Sequence, residues 1–161
     1  MSFQNSERKL RVARLLLEYG LSIDENGNIK LGNIKIPYSS IAQAVGVDRR
    51  TVTEAIKKIM NDPELFDIYR EMLPAGPSLK KVAKTLNLRV LTIEVYHDQP
   101  GVIAHVSGIL SKNNINILQV IAEYPELFDN PKLYLVIEGN IKGDLIEEIM
   151  SHGAIKSVKI N

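Results

Sequence analysis

Between Leu88 and Ile117 the hydrophobic period changes twice, and that change restricts the folds open to this chain more than any other stretch. Leu91, Ile93 and Val95 alternate as one face of a strand. The run His97-Asp98-Gln99-Pro100-Gly101 breaks the alternation, and from Gly101 to Asn113 the apolar residues Val102, Ile103, Val106, Ile109 and Leu110 fall at helical spacing. β-type sequence resumes at Ile115-Asn116-Ile117. Pro100 fixes φ for a tight exit from the strand, and Gly101 lets backbone N–H groups at the new helix start approach an anionic group. A carboxylate is the natural guest of such a junction.

The pattern continues with two more strands, Asn116 to Tyr124 and Lys132 to Glu138, rich in β-branched and aromatic residues and separated by a loop holding Pro125 and Pro131. They are expected to pair antiparallel. Lys142 to His152 reads as a second helix with Leu145, Ile146, Ile149 and Met150 facing inward, ended by Gly153, and Ala154 to Ile160 supplies a fourth strand. The order is β-α-β-β-α-β, which predicts a ferredoxin-like sandwich within an α+β chain.

The N-terminal half reads differently. Ser6 to Tyr19 carries Leu10, Val12, Ala13, Leu15, Leu16 and Leu17 on a broad helical stripe ended by Gly20. Asn26-Gly27 is a two-residue hairpin signal, with Ile29, Leu31, Ile34 and Ile36 as the apolar positions of a small ribbon or wing. Residues 37–59 then read as two short helices about a Gly46 turn: small Ala42 permits close crossing, Asp48 caps the second helix, and Ile41, Val47, Val52, Ala55, Ile56 and Ile59 close the core. This arrangement resembles a helix-turn-helix. In a major groove its second helix would present Arg49, Arg50, Thr51, Thr53 and Lys57, while Tyr38 and Ser39 would touch phosphate. The alternative is a helical hairpin whose cations are simply solvated.

Asp62-Pro63-Glu64 marks a further helix start, with Leu65, Phe66, Ile68, Tyr69 and Met72 following. Pro74-Ala75-Gly76-Pro77 breaks the chain, and Ser78 caps a last short helical segment, Leu79 to Leu86. The expected division is a helix-turn-helix domain over 1–73, a linker with a short helix over 74–87 and a ligand-binding domain over 88–161. The pentapeptide Pro63-Glu64-Leu65-Phe66-Asp67 recurs as Pro125-Glu126-Leu127-Phe128-Asp129, but its flanks do not, so it reads as reuse of a helix start and not as duplication.

At 161 residues, 45% hydrophobic and 24% charged, the chain has the composition of a folded globular protein of one medium or two small domains. Net charge is +1, yet residues 1–62 hold ten Lys or Arg against seven Asp or Glu, and residues 88–161 hold six against nine. Polyanions would prefer the first part. No apolar run reaches bilayer length, the start lacks a basic and apolar leader, and there is no cysteine, so a cytoplasmic location without disulfides or thiolate metal sites is expected.

Residues 88–161 resemble the ACT family of small regulatory domains, on the strand order, on Asp98-Gln99-Pro100-Gly101-Val102-Ile103 after the first strand, and on Asn113-Asn114-Ile115-Asn116-Ile117 before the second. The resemblance implies an amino-acid ligand at the contact of paired domains, bracketed by Asp98, Gln99, the backbone of Gly101, Val102 and Ile103, and by Asn116 with Ile117. Such a group complements a zwitterion: N–H groups and helix dipole for the carboxylate, Asp98 and the Asn116 amide for the ammonium. A helix-turn-helix ahead of such a domain resembles a group of archaeal predicted regulators of amino-acid metabolism.

His97, Asp98 and His105 fall near one turn without a tight metal-ligand spacing. No cysteine nucleophile, glycine-rich phosphate loop or acid/base carboxylate pair is present, so neither catalysis nor a cofactor is expected. The resulting expectation is a homodimeric, ligand-responsive transcriptional regulator that binds an amino acid and double-stranded DNA, with no membrane partner. The alternative is an amino-acid-sensing adaptor that docks on a metabolic enzyme instead of DNA.

Overall fold

Apolar spacing of three and four puts Val12, Ala13 and Leu16 on one side of helix α1 (Glu7–Glu18), and all three are buried, whereas Leu10 of the same stripe stays exposed. The computed structural model describes residues 7–161, so Ser6, the expected first residue of this helix, lies outside the described residues. The chain is a mixed α+β protein with antiparallel sheets, and it divides into two units, the first ending at Gly76 and the second running Pro77–Asn161.

In the first unit, α1 ends at Gly20, whose φ of +62° suits glycine and whose added Cβ would lie 2.5 Å from the Leu73 carbonyl oxygen. The antiparallel strands β1 (Ser22–Ile23), β2 (Ile29–Leu31) and β3 (Ile34–Ile36) follow. The two-residue hairpin expected at Asn26-Gly27 is instead a longer loop over residues 24–28 organised by Asp24. Its Oδ1 accepts from the N–H of Asn26 and of Asn28, and its Oδ2 lies 2.9 Å from Lys30 Nζ. The Asn28 amide, then Lys30, hold this carboxyl well below the usual range. The tight reversal falls one hairpin later, at Gly32 and Asn33, where Leu31 pairs with Ile34.

Helices α2 (Tyr38–Val45) and α3 (Arg49–Met60) meet at Gly46, which takes φ +70°, and the Val47 N–H returns to the Ala42 carbonyl. Asp48 caps α3 and Asp62 caps α4 (Pro63–Arg70), with proline in its first turn. Leu16, Ile23, Ile29, Ile41, Val52, Ile56, Ile59 and Tyr69 form the core, and Val47 only borders it. Tyr69, 3% exposed, donates from its hydroxyl to the Ala13 carbonyl at 3.0 Å, tying α4 to α1, and burial pushes this phenol up to about 12.

The second unit comprises β4 (Arg89–Val95), α5 (Val102–Lys112), β5 (Ile117–Ala122), β6 (Lys132–Ile137), α6 (Gly143–Met150) and β7 (Ile155–Ile160). Its sheet has the order β5-β6-β4-β7 with every neighbouring pair antiparallel, including β5 with β6. One face places Leu91, Ile93, Leu135 and Ile137 against Val106, Leu110 and Ile149 from the helices. Met150, expected to face inward, is 38% exposed, and Ile146 is only half-buried.

The segment expected to be a linker with a short helix differs. From Pro77 it belongs to the second unit, and residues 80–87 make consecutive turns. Ala83 and Leu88 are buried against Val90 and Val136, which takes them off a helical period. Gln119 Oε1 accepts from the Leu79 N–H and Gln119 Nε2 donates to the Pro77 carbonyl, both at 2.8 Å, and Lys80 Nζ sits 3.5 Å from the centre of the Tyr134 ring. Among the described residues no helix is long and apolar enough to cross a membrane.

Replacing Tyr69 by Phe removes one buried hydrogen bond and leaves the ring's packing, so Tyr69→Phe is expected to cost about 1 kcal/mol. Urea unfolding of the two proteins checks this, with the midpoint falling and the slope unchanged.

Candidate functional site

β4 ends at Val95, and the chain must reverse onto the helix-bearing face of the sheet within a few residues. Gly101 makes the reversal at φ +103°, immediately before Val102 opens α5. No side chain caps this helix start, so its first N–H groups are left for another partner. Beside it lies a cavity of about 590 Å³ lined by Asp98, Gln99, Gly101, Val102 and Ile103, together with Val95, Pro100, Ala104 and, from beyond β5, Tyr124, Pro125, Pro131 and Leu133.

Asp98 makes no hydrogen bond or ion pair within the described residues. Two other charged residues border the cavity but are engaged elsewhere. Glu123 Oε2 accepts from the Lys132 backbone N–H at 3.1 Å, and Lys132 Nζ lies 3.3 Å from Glu94 Oε1. The Lys132 ammonium, with Lys159, holds the Glu94 carboxyl below its usual range. Asp98 is thus the one ionised group of the cavity left without a partner among the described residues.

The structure does not bring Asn116 and Ile117 into this cavity. They line a shallow depression with Ser107, Gly108 and Ser111, and the Asn116 amide donates to Glu138 Oε2 at 2.9 Å. The reason is topological. Helix α5 spans 11 residues, about 16 Å at 1.5 Å each, so the residues before β5 lie at its C-terminal end while Asp98 lies at its N-terminal end. In a β-α-β unit the helix start is next to the end of the second strand, which is why Ala122 lines the cavity and Asn116 does not. Ala122, Tyr124, Pro125, Pro131 and Leu133 were legible only through that rule of direction.

His152 lies beside the turn, its Nε2 3.9 Å from where a Cβ on Gly101 would stand, but His97 and His105 do not join it in one cluster. His97 lines a neighbouring cavity of about 310 Å³ with Asp98 and Asp129. His105 reaches away toward α6, its Nε2 3.2 Å from the Glu148 carbonyl, with its ring centre 5.0 Å from that of His152. Among the described residues no group of three or more metal-ligating side chains occurs.

In the first unit α3 exposes Arg49, Arg50 and Lys57. Arg50 Nε is 3.0 Å from Glu54 Oε1, and Lys9 Nζ is 2.7 Å from Glu54 Oε2; Lys9 first and Arg50 second hold that carboxyl below its usual range. Thr51 is occupied with Asp48, and the Thr53 hydroxyl donates to the Arg49 carbonyl. The Tyr38 hydroxyl, expected to meet phosphate, donates to the Gly27 carbonyl at 2.6 Å, and burial raises its pKa. Arg49, Ser39 and Lys57 make no hydrogen bond or ion pair among the described residues. Arg49, Ser39 and Tyr38 border one concavity of about 550 Å³, joined by Lys35 from β3, a cation the sequence reading passed over because it sits on an exposed ribbon face.

Residues 89–122 match the ACT domain, a stretch that runs from β4 through α5 to the end of β5. No curated protein matches the sequence. Among solved structures, the chain is similar to a homoserine dehydrogenase from Thiobacillus denitrificans, with TM-score 0.37 and 15% identity, over 71% of this chain and 28% of that chain. It thus spans little more than a quarter of the dehydrogenase. It is also similar to an AsnC family transcriptional regulator from Agrobacterium tumefaciens, with TM-score 0.30 and 16% identity, over 97% of this chain and 88% of that one. A third is a transcriptional regulator from Neisseria meningitidis in complex with L-Met, with TM-score 0.27 and 11% identity, over 97% and 87%.

Asp48 accepts two hydrogen bonds from Thr51 that hold its carboxyl below its usual range, the backbone N–H first. A carboxyl depressed in the folded state adds stability above its unfolded pKa, near 3.9, and loses that contribution as pH falls through the lower folded value. Asp48→Ala is therefore expected to lower the melting temperature at pH 7 and to show a smaller further drop than the parent on acidification to about pH 2, measured by calorimetry.

Proposed function

We propose that this chain is a ligand-responsive transcriptional regulator, with a winged helix-turn-helix unit that binds double-stranded DNA and a ferredoxin-like ACT sandwich that binds an amino acid where two copies meet. The observation that carries the reading is the unpartnered Asp98 beside the uncapped start of α5, facing a cavity within and just beyond the stretch that matches the ACT domain. Backbone N–H groups at Gly101 to Ile103 hold the ligand's carboxylate, and Asp98 holds its ammonium. The proposed role is binding, without catalysis or cofactor, in the cytoplasm.

Pairing of two copies supplies what one lacks. β5 is a sheet edge, and Ile103, Leu118 and Val120 are exposed apolar residues on or beside it. An antiparallel β5–β5 contact about a two-fold axis reverses the second strand's direction, which carries Asn116 and Ile117 of the second copy toward Ala122 of the first. The site then closes from both chains.

The same strand offers a route to regulation. Gln119 on β5 grips Pro77 and Leu79, where the second unit begins, while Ala122 walls the cavity. A guest that favours one β5 arrangement over another shifts the population of that grip, with coupling on the order of 1 to 3 kcal/mol. Arg49, Lys57 and Lys35 contribute the phosphate contacts, and Arg50 reads or is restrained according to its pairing with Glu54.

The test is anisotropy titration of a labelled mixed-sequence duplex over a salt series. Affinity is expected to fall linearly with the logarithm of salt, and Arg49→Ala or Lys57→Ala to reduce the slope by about one each. A salt-insensitive complex, or none, rejects the DNA reading and favours an adaptor. Gln119→Leu is expected to retain duplex binding and amino-acid binding while abolishing the effect of one on the other; retained coupling removes Gln119 from the mechanism.

A further inference from the structure

The cavity at the start of α5 is chemically lopsided. Val95, Val102, Ala122 and Leu133 bring no polar side-chain atoms, and Pro100, Pro125 and Pro131 lack even a backbone N–H. Its donors are the N–H groups of the uncapped helix start, the neutral amide of Gln99 and, at the rim, the hydroxyl of the largely exposed Tyr124; its one unpartnered charge is Asp98. The remaining cation, Lys132, has its ammonium committed to Glu94, and Glu123 is bound to the Lys132 backbone.

From this inventory we infer that the ligand is an α-amino acid with an uncharged, apolar side chain, of aliphatic or thioether type. The inference rests on the amino-acid reading above and specifies its class. The α-ammonium uses Asp98 and the α-carboxylate uses the helix start, so the groups that complement charge are consumed by the backbone portion of the guest. A side-chain carboxylate would meet no free cation and lie near Asp98. A side-chain ammonium would compete with the α-ammonium for the same acid, and a hydroxyl buried among the proline rings and aliphatic carbons would have to reach out to the Gln99 amide or the rim hydroxyl of Tyr124 for a partner. A methylene, by contrast, gains from each contact, about fourfold in affinity per group buried. A volume of about 590 Å³ leaves room for a branched chain beyond the zwitterion.

Isothermal titration of the full-length protein with leucine, isoleucine, valine, methionine, alanine, serine, aspartate and lysine tests this. Leucine, isoleucine or methionine is expected to bind at least 30-fold more tightly than alanine and 100-fold more tightly than serine, aspartate or lysine. Leucinamide, lacking the carboxylate, and 4-methylpentanoate, lacking the ammonium, should each lose at least tenfold against leucine. Asp98→Asn should lose affinity for leucine but not for 4-methylpentanoate. Ala122→Leu, which shortens the apolar end, should weaken isoleucine and methionine while leaving alanine unchanged, an inversion of size preference that a general loss of folding would not produce. Tighter binding of serine, aspartate or lysine overturns the apolar assignment and leaves the amino-acid reading standing. Failure of all eight to bind overturns that reading itself.

Discussion

The second unit depends on a change of direction at Gly101. Its φ of +103° is a conformation that side chains rarely adopt, and it closes the connection over residues 96–101 by turning the chain from β4 into α5. Because the helix starts there, Val102 and Val106 drop onto Leu91 and Ile93, and the sheet face that would otherwise meet water becomes a core. The same geometry leaves the first N–H groups of α5 pointing past the sheet's end without a capping side chain. Stability and binding capacity thus have one origin: the turn that buries the helix also exposes its positive end.

The opposite sheet face obeys a different constraint. Val90 and Val136 are apolar there, and a two-layer unit would leave them wet; the turns of residues 80–87 cover them with Ala83 and Leu88. A helix over that stretch would point Lys80, Lys81 and Lys84 along one side and present few apolar groups to the sheet. Irregular turns let Leu79, Ala83 and Leu88 face inward together, at the expense of intrahelical hydrogen bonds, and Asn87 at φ +56° closes them. Gln119 supplies the missing partners for this non-helical backbone by satisfying one carbonyl and one N–H at once.

Elements with a strong period were legible from sequence, and the alternation of Leu91, Ile93 and Val95 against the helical spacing of Val102, Val106 and Leu110 located β4 and α5 to within a residue or two. What failed was context. Pro63-Glu64-Leu65-Phe66-Asp67 opens α4 because Asp62 before it accepts from the Leu65 N–H. The identical Pro125-Glu126-Leu127-Phe128-Asp129 follows Tyr124, whose side chain cannot cap in that way, and it stays a turn. Asn26-Gly27 was overruled similarly, because Asp24 two residues earlier gathers the N–H groups of Asn26 and Asn28 and fixes a wider loop. Of the candidate site, the turn residues border one cavity, whereas Asn116 of the same chain lies at the far end of α5, a separation set by the helix's length and not by residue chemistry.

That separation also leaves the cavity at the start of α5 open on one side. A cavity at the end of a β-α-β unit has the helix start and two strand ends as walls, and nothing on the outer side of an edge strand. Here that outer side is β5, whose exposed Leu118 and Val120 neighbour Ala122 along the open rim. Loop residues Tyr124 and Pro125 reach over one end of the opening, and Tyr124 remains 61% exposed, so they do not seal it. Water therefore retains access to the exposed Asp98. Covering the β5 edge would remove that water, lower the local dielectric and strengthen any pairing of Asp98 with a cation, so the electrostatics at Asp98 and burial of the apolar edge are physically linked.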